Sequence, residues 1–192
     1  MAADLGAGPD EVQRATDAVL HFWFEELTPE QHFKKDAALD ATIRERFGAM
    51  RDSVVAQEAE GWRGAPDRLL AAILLVDQFS RNLYRDSPAA FAADPLGLEL
   101  ALSGIAAGYA PQYEPQRRAF LYMPLMHAED RGVQRFALRC FAEPGLETNL
   151  DFARAHAEVI ERFGRFPSRN AALGRTSTAE EAVYLSQPGA GW

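Results

Sequence analysis

Arginine, asparagine and serine occur together behind an aromatic residue twice in this chain. The first stretch, DQFSRNLYR, spans residues 77–85, and the second, GRFPSRNAALGR, spans residues 164–175. Arginine binds carboxylate or phosphate groups through parallel N–H donors, and asparagine adds neutral hydrogen bonds. The two stretches therefore carry residue types suited to an anionic group, and we predict that they meet in space.

The first stretch ends the most apolar segment of the chain. Asp77 and Arg81 lie four residues apart, which favours an ion pair on one helix face, and Gln78 and Asn82 share the adjacent face. Burying such groups without partners costs several kcal/mol. Either they pair where a core helix reaches the surface, or they face a ligand.

The second stretch is rich in arginine although the protein is acidic. Arg165 and Arg169 lie in it with Asn170, and glycine and proline residues shape its backbone. These arginines could pair with the protein's own carboxylates, which would make the region a structural network. If they instead face a ligand, they should repel one another in the ligand-free protein.

A histidine and two acids follow the apolar segment 115–126. In the sequence MHAED, His127 lies three residues before Asp130, with Glu129 between them. Histidine beside a carboxylate can act as a general acid or base, or can bind a divalent metal. Because no HExxH motif and no second ligand at metal-binding spacing accompanies it, we predict neither a metal nor another cofactor.

His156 lies on the apolar stripe of a helix predicted over 147–163. Phe152, Val159 and Ile160 share that stripe, so His156 faces the core. A histidine in this position is either a hydrogen-bonded core residue or the inner wall of a pocket.

The pattern of the whole chain predicts an all-α fold of about eight helices, packed as antiparallel helical hairpins. Apolar residues recur at spacings of three and four, as in Leu39, Ile43 and Phe47, and no useful segment alternates with a period of two. We expect Pro124 to kink or end its helix. Helices are predicted over 11–27, 37–60, 67–84, 94–107, 115–126, 130–142 and 147–163, with a short final helix after Thr178.

Composition narrows the class of protein. The 192 residues suggest a flexible tail at 1–9 followed by a single domain at 10–192. A formal net charge of −8 argues against a general nucleic-acid or anionic-membrane binder. No signal sequence is recognisable, and no uncharged apolar run approaches the roughly 18 residues of a membrane span. We therefore expect a soluble cytoplasmic protein.

From about Val19 to Leu185 the sequence resembles the bacterial domain-of-unknown-function family numbered 924. The resemblance rests on VLHFWFEEL, KKDAALDATIRERFG, ILLVDQFSRNLYR, AFLYMPLMHAED and VIERFGRFPSRNAALGRTST. It implies an all-helical, tetratricopeptide-like fold and no established activity. The chain has His32, Ser80 and Ser168 where family members usually have Trp, Pro and His. The family's polar motif positions are here Asp77, Gln78, Arg81, Asn82, His127, Glu129, Asp130, Arg165, Arg169 and Asn170.

Three functions remain open, and the first is favoured. It is a binding module whose pocket takes a small anionic ligand or an acidic peptide. The second is a hydrolytic or acid–base enzyme that uses His127 with Glu129 or Asp130. The third is a purely structural polar network. An open cavity would separate the first two from the third, and the candidate ligand-binding residues are the ten motif positions together with His156.

Overall fold

A computed structural model describes residues 9–191, and no strand occurs among them. The all-α class is therefore confirmed, whereas the tetratricopeptide-like arrangement stays a prediction. The expected flexible tail lies outside the described residues except for Pro9, which begins the first helix. The α-helices are α1 Pro9–His21, α2 Pro29–Phe33, α3 Ala37–Ala56, α4 Pro66–Ile73, α5 Ser80–Leu83, α6 Asp94–Ala106, α7 Pro115–Met126, α8 Arg131–Phe141, α9 Glu147–Phe163 and α10 Ala179–Leu185.

Local sequence signals explain where several helices begin and end. Proline occupies the first turn of α2, α4, α6 and α7, where its missing N–H has no intrahelical partner to lose. Asp36 caps α3 by accepting the backbone N–H groups of Ala38 and Leu39. Thr178 and Glu181 form a capping box at α10. Helix α9 ends at Gly164, whose positive φ of 71° suits glycine.

A continuous helical rod carries the first polar stretch through the core. It consists of α4, a π-helical turn at Leu74–Phe79, and α5. Leu74, Val76 and Phe79 are fully buried, and the rod packs against α3, α6 and α7. Single π turns insert an extra residue into a helix and often occur at functional sites. Here the π turn contains Asp77, so the rod delivers this acid into the interior.

Helix α7 runs through Pro124 to Met126, so the expectation that proline would end the helix is wrong, and a kink at this position stays a prediction. Proline removes one backbone hydrogen bond. All residues from Ala119 to Met126 are buried, and α7 packs against α6 and α8. Tertiary packing thus holds the last turn in helical form, and His127 follows directly as the C-cap.

Residues Pro88–Ala106 have the length and composition of a candidate membrane span, with a mean hydropathy of 1.3 and 33% of the window buried. The segment contains Asp94 and Glu99, so it is not the uncharged apolar run whose absence the sequence predicts. In the structure the segment is interrupted, because a 3-10 turn at Pro88–Ala90 precedes α6. Gly97, Leu100 and Ala101 are buried on α6, which packs against α4 and α7. Helix α6 thus buries one face in the core of the protein.

Candidate functional site

Asp94, the first residue of α6, joins the two arginine-bearing stretches. Its Oδ2 lies 3.2 Å from Nη2 of Arg81 and 3.0 Å from Nη1 of Arg169. The prediction that the stretches meet is therefore confirmed. The two guanidinium groups do not simply repel one another, because a shared carboxylate lies between them. Burial and the nearby charge of Asp77 raise the pKa of Asp94, and the two arginines only partly oppose this.

Asp77 lies beneath this bridge and is 1% exposed. Its Oδ1 is 2.9 Å from Nη1 of Arg81 and 2.8 Å from Nδ1 of His127. The amide of Gln78 donates a hydrogen bond to Oδ2. Burial alone would raise the pKa of Asp77, but Arg81, His127 and Gln78 hold it well below its usual range. The carboxylate is therefore ionised and fully engaged.

His127 takes Asp77 as its carboxylate partner, which corrects the expected pairing with Glu129 or Asp130. Burial lowers the pKa of His127, and the charge of Arg81 adds to this effect against the attraction of Asp77. A neutral imidazole beside a carboxylate carries its proton on the bonded nitrogen. We therefore assign the proton to Nδ1, which leaves Nε2 as a hydrogen-bond acceptor.

Aromatic rings and a backbone carbonyl fix the guanidinium of Arg169. The rings of Phe91 and Phe166 each lie 4.6 Å from its central carbon, a cation–π distance. Nη2 of Arg169 donates a 2.9 Å hydrogen bond to the carbonyl oxygen of His127. The side chain is only 12% exposed. Arg169 therefore connects the second stretch to the residue that follows α7.

A cavity of about 540 Å³ lies over these groups. Apart from histidine, its charged lining consists of five basic side chains and one acidic one, Asp86, although the whole chain is acidic. The predicted site residues on its wall are Gln78, Arg81, Asn82, His127, His156 and Arg169. The other basic lining residues are Lys34, Lys35 and Arg85, and the larger apolar ones are Phe33, Phe91, Met123, Met126, Phe152 and Phe166.

His156 is buried on the wall of the cavity. Its Nδ1 lies 2.8 Å from the carbonyl oxygen of Phe152, one turn earlier in α9. Its ring centroid is 6.1 Å from that of His127 and 5.5 Å from that of Phe166. Burial lowers the pKa of His156 to about 3, and the positive charges nearby add to this. Both alternatives for this residue therefore hold, because it is a hydrogen-bonded core histidine and a pocket wall.

Asn82 and Arg85 connect the cavity to α3. The amide of Asn82 donates a 2.8 Å hydrogen bond to Asp40, and Arg85 forms a bidentate ion pair with the same carboxylate. Asp40 therefore anchors the α5 end of the rod, where both residues line the cavity.

Glu129 and Asn170 contribute to a separate cluster that closes the loop 164–178. Glu129 accepts two hydrogen bonds from Arg175, at 2.7 and 2.9 Å, and one from the backbone N–H of Phe166. These contacts hold the pKa of Glu129 below its usual range although burial opposes them. The side chain of Asn170 bonds both Arg175 and Glu181. These side chains are engaged with one another and do not line the cavity.

Arg165 and Asp130 also lie outside the cavity lining. Arg165 forms a bidentate pair with Glu181, at 2.6 and 2.7 Å, and this pair lowers the pKa of Glu181 to about 2. Asp130 is the N-cap of α8 and accepts the backbone N–H of Val133. Because α7 ends at Met126, Asp130 does not share a helix face with His127.

Sequence reasoning missed two residues that organise the site, Asp94 and Phe91. Asp94 was interpreted only as a helix start, although it lies thirteen residues after Arg81 at the beginning of an otherwise apolar helix. Arg175 is one of the arginines of the second stretch, and its pairing with Glu129 agrees with the alternative in which these arginines bind the protein's own carboxylates. Phe91 carried no signal, because its role depends on the placement of Arg169.

The fold and this site define an all-α protein whose central rod carries an ionic network to the edge of a cavity. The chain belongs to the family described as bacterial protein of unknown function (DUF924), whose family model matches residues 19–189. It is similar to the solved structure of a protein of unknown function from Agrobacterium tumefaciens. The two are 35% identical with a TM-score of 0.86, over 91% of this chain and 98% of the other. No curated protein matches the chain.

Proposed function

We propose that the protein binds a small carboxylate with an apolar body in the 540 Å³ cavity. The main observation behind this proposal is the composition of the cavity lining. It combines five basic residues with phenylalanine and methionine side chains, although the chain has a net charge of −8. Specific small-molecule sites have volumes of roughly 300–1,000 Å³ and few polar groups on apolar walls. Inorganic phosphate would leave these apolar walls unused.

The arginines retain donors for such a ligand after pairing internally. Arginine has five N–H groups, and the side-chain bonds of Arg169 to Asp94 and His127 use one on each terminal nitrogen. At the rim, Phe33 and Phe152 are 65% and 51% exposed, and both line the cavity. An apolar ligand body would cover these two rings and remove them from water.

Isothermal titration of the purified protein with benzoate and with benzamide tests the proposal. The two probes have nearly the same shape, and only benzoate carries the charge. We expect saturable binding of benzoate and at least tenfold weaker binding of benzamide. At a hundredfold excess over its dissociation constant, benzoate should stabilise the fold by about 2.7 kcal/mol.

A charge-reversal variant at the rim of the cavity tests the electrostatic part of binding without changing the buried ionic network. Lys34 is exposed and lines the cavity, so Lys34→Glu should weaken benzoate binding with little change in stability. Arg14→Glu, at an exposed position of α1 outside the lining, is the matched control for the change in net charge. Equal binding of benzoate and benzamide would refute recognition of the carboxylate, and no binding of either would favour the purely structural network.

Two further predictions concern the partners and the cellular location of the protein. The net charge of −8 supports our expectation that the protein has no nucleic-acid or membrane partner. A cytoplasmic location is our expectation for such a helical domain, and cell fractionation tests it.

A further inference from the structure

We propose that the cavity also hydrolyses esters that carry a carboxylate, with His127 as the general base that activates water. This inference rests on the proposed function, because the same cavity must first hold the anionic substrate. It differs from the enzyme alternative drawn from the sequence, since the orienting carboxylate is Asp77 and not Glu129 or Asp130.

The geometry of His127 is that of an oriented base. Nδ1 contacts Asp77 at 2.8 Å, and the ring lies on the cavity wall. The backbone is fixed on both sides, because its N–H donates to Met123 and its carbonyl accepts from Arg169. A carboxylate that holds one imidazole nitrogen sets the tautomer and aims the other nitrogen. Nε2 is then the nitrogen left to accept a proton from a molecule in the cavity.

Charged or titratable groups from four elements surround this ring. Asp77 and Arg81 come from the central rod, Asp94 from α6, Arg169 from the second stretch, and His156 from α9. The charge of Arg81 disfavours a positive imidazole, whereas Asp77 and Asp94 favour one. Burial is the largest effect and lowers the pKa of His127, so the imidazole is neutral at neutral pH. The neutral imidazole is the form that can accept a proton.

Water is the nucleophile in this scheme. Its oxygen attacks the ester carbonyl carbon while Nε2 of His127 takes one of its protons, and the carbonyl electrons move to oxygen. The tetrahedral intermediate then collapses, the bond to the leaving alcohol oxygen breaks, and the imidazolium returns its proton to that oxygen. The products are a carboxylic acid and an alcohol, with one water consumed. In this substrate Arg169, whose guanidinium bonds the His127 carbonyl, would donate its remaining N–H groups to the developing oxyanion, which leaves the substrate carboxylate to Lys34 at the rim.

The probe is 4-acetoxybenzoate, which pairs an aromatic carboxylate with an acetyl ester. Its hydrolysis to acetate and 4-hydroxybenzoate is followed by ultraviolet absorbance, and uncharged 4-acetoxybenzamide is the matched probe. We expect the wild type to exceed the buffer rate and to prefer the charged ester. Loss of a general base typically costs 10²–10⁴-fold, so His127→Gln should return the rate to background.

Three variants and a pH profile test whether His127 acts as the general base and whether water is the nucleophile. His21→Gln removes an exposed histidine on α1 and should leave the rate unchanged. Ser168→Ala removes the hydroxyl on the cavity wall and tests whether this hydroxyl, instead of water, is the nucleophile. Asp77→Asn should lower the rate while benzoate still binds. Should His127→Gln fail to fold, the wild-type profile decides. Its rate should reach a plateau with a midpoint below pH 6.5, the ordinary value for histidine.

Each contrary outcome has a distinct meaning. Benzoate binding without any hydrolysis above buffer would overturn this inference and leave the proposed function standing. Neither binding nor hydrolysis would overturn both. Full activity in His127→Gln, or loss of activity in Ser168→Ala alone, would remove His127 from the role of base acting on water.

Discussion

Replacing Arg169 with alanine tests how far the buried network supports the fold. The substitution removes the 3.0 Å contact with Asp94, the hydrogen bond to the His127 carbonyl, and two aromatic contacts. Breaking one side of a buried ion pair costs about 3–5 kcal/mol. Asp94 keeps its contact with Arg81, which moderates the loss. We therefore expect Arg169→Ala to lower the free energy of unfolding by about 3 kcal/mol at pH 7.

The charge part of this loss has an upper bound and a pH signature. Without Arg169, Asp94 can avoid carrying a poorly paired buried charge by taking up a proton. This protonation costs 1.36 kcal/mol for each unit by which the pH exceeds 3.8, the ordinary pKa of aspartate. The bound is about 4 kcal/mol at pH 7 and about 1.6 kcal/mol at pH 5. A carboxyl whose folded pKa is raised contributes stability at low pH and loses it as pH rises. The variant should therefore approach the wild type as the pH falls from 7 to 5.

Urea unfolding followed by circular dichroism at both pH values measures this effect. Arg162→Ala is the control, because Arg162 pairs with Glu180 at the surface and both side chains are about half exposed. Such pairs contribute about 0–1 kcal/mol. A loss in Arg169→Ala no larger than in Arg162→Ala, with no dependence on pH, would refute the reasoning that Asp94 depends on Arg169.

Three further predictions concern the loop cluster, the buried histidine and the packing of α6. Arg175→Ala should cost about 2 kcal/mol in urea unfolding and speed proteolysis of the loop 164–178, because Glu129 loses its bidentate partner. The pKa of His156, lowered to about 3, makes stability fall as pH drops from 6.5 towards 3, by up to 1.36 kcal/mol per unit. His156→Leu should remove that slope from a pH series. Gly104→Ala should cost about 1–3 kcal/mol, because a Cβ there would lie 2.5 Å from a core leucine carbon. Gly48→Ala, with its nearest neighbour at 4.0 Å in α3, should stabilise by about 0.5–1 kcal/mol.

The spacing of residues in the sequence predicted the contacts that form within a single helix. Asp77 and Arg81 form the expected ion pair because residues four apart always face one another on a helix. Helix boundaries marked by proline or glycine also lie close to their predicted positions. Pro124 is the exception, since burial of the surrounding turn outweighed the loss of one hydrogen bond.

Contacts between distant segments could not be derived in the same way. Arg169 and Asp94 are 75 residues apart, and His127 and Asp77 are 50 apart. For His127 the nearer acid in the sequence, Glu129, was the natural choice, but the chain turns after α7 and directs Glu129 towards Arg175. Residue type and proximity thus predicted which segments carry the site, whereas helix packing determined which acid pairs with which base.

A closed network and an open cavity seemed alternatives in the sequence, yet Arg169 belongs to both. Two bare arginines facing a cavity would repel each other and lose considerable side-chain freedom on binding an anion. Asp94 removes the repulsion, and the rings of Phe91 and Phe166 fix the guanidinium before any ligand arrives. Ordering a receptor in advance strengthens binding because the entropy is lost during folding and not during association. Internal pairing is therefore compatible with an anion site, provided that the ligand uses the N–H groups that Asp94 and His127 leave.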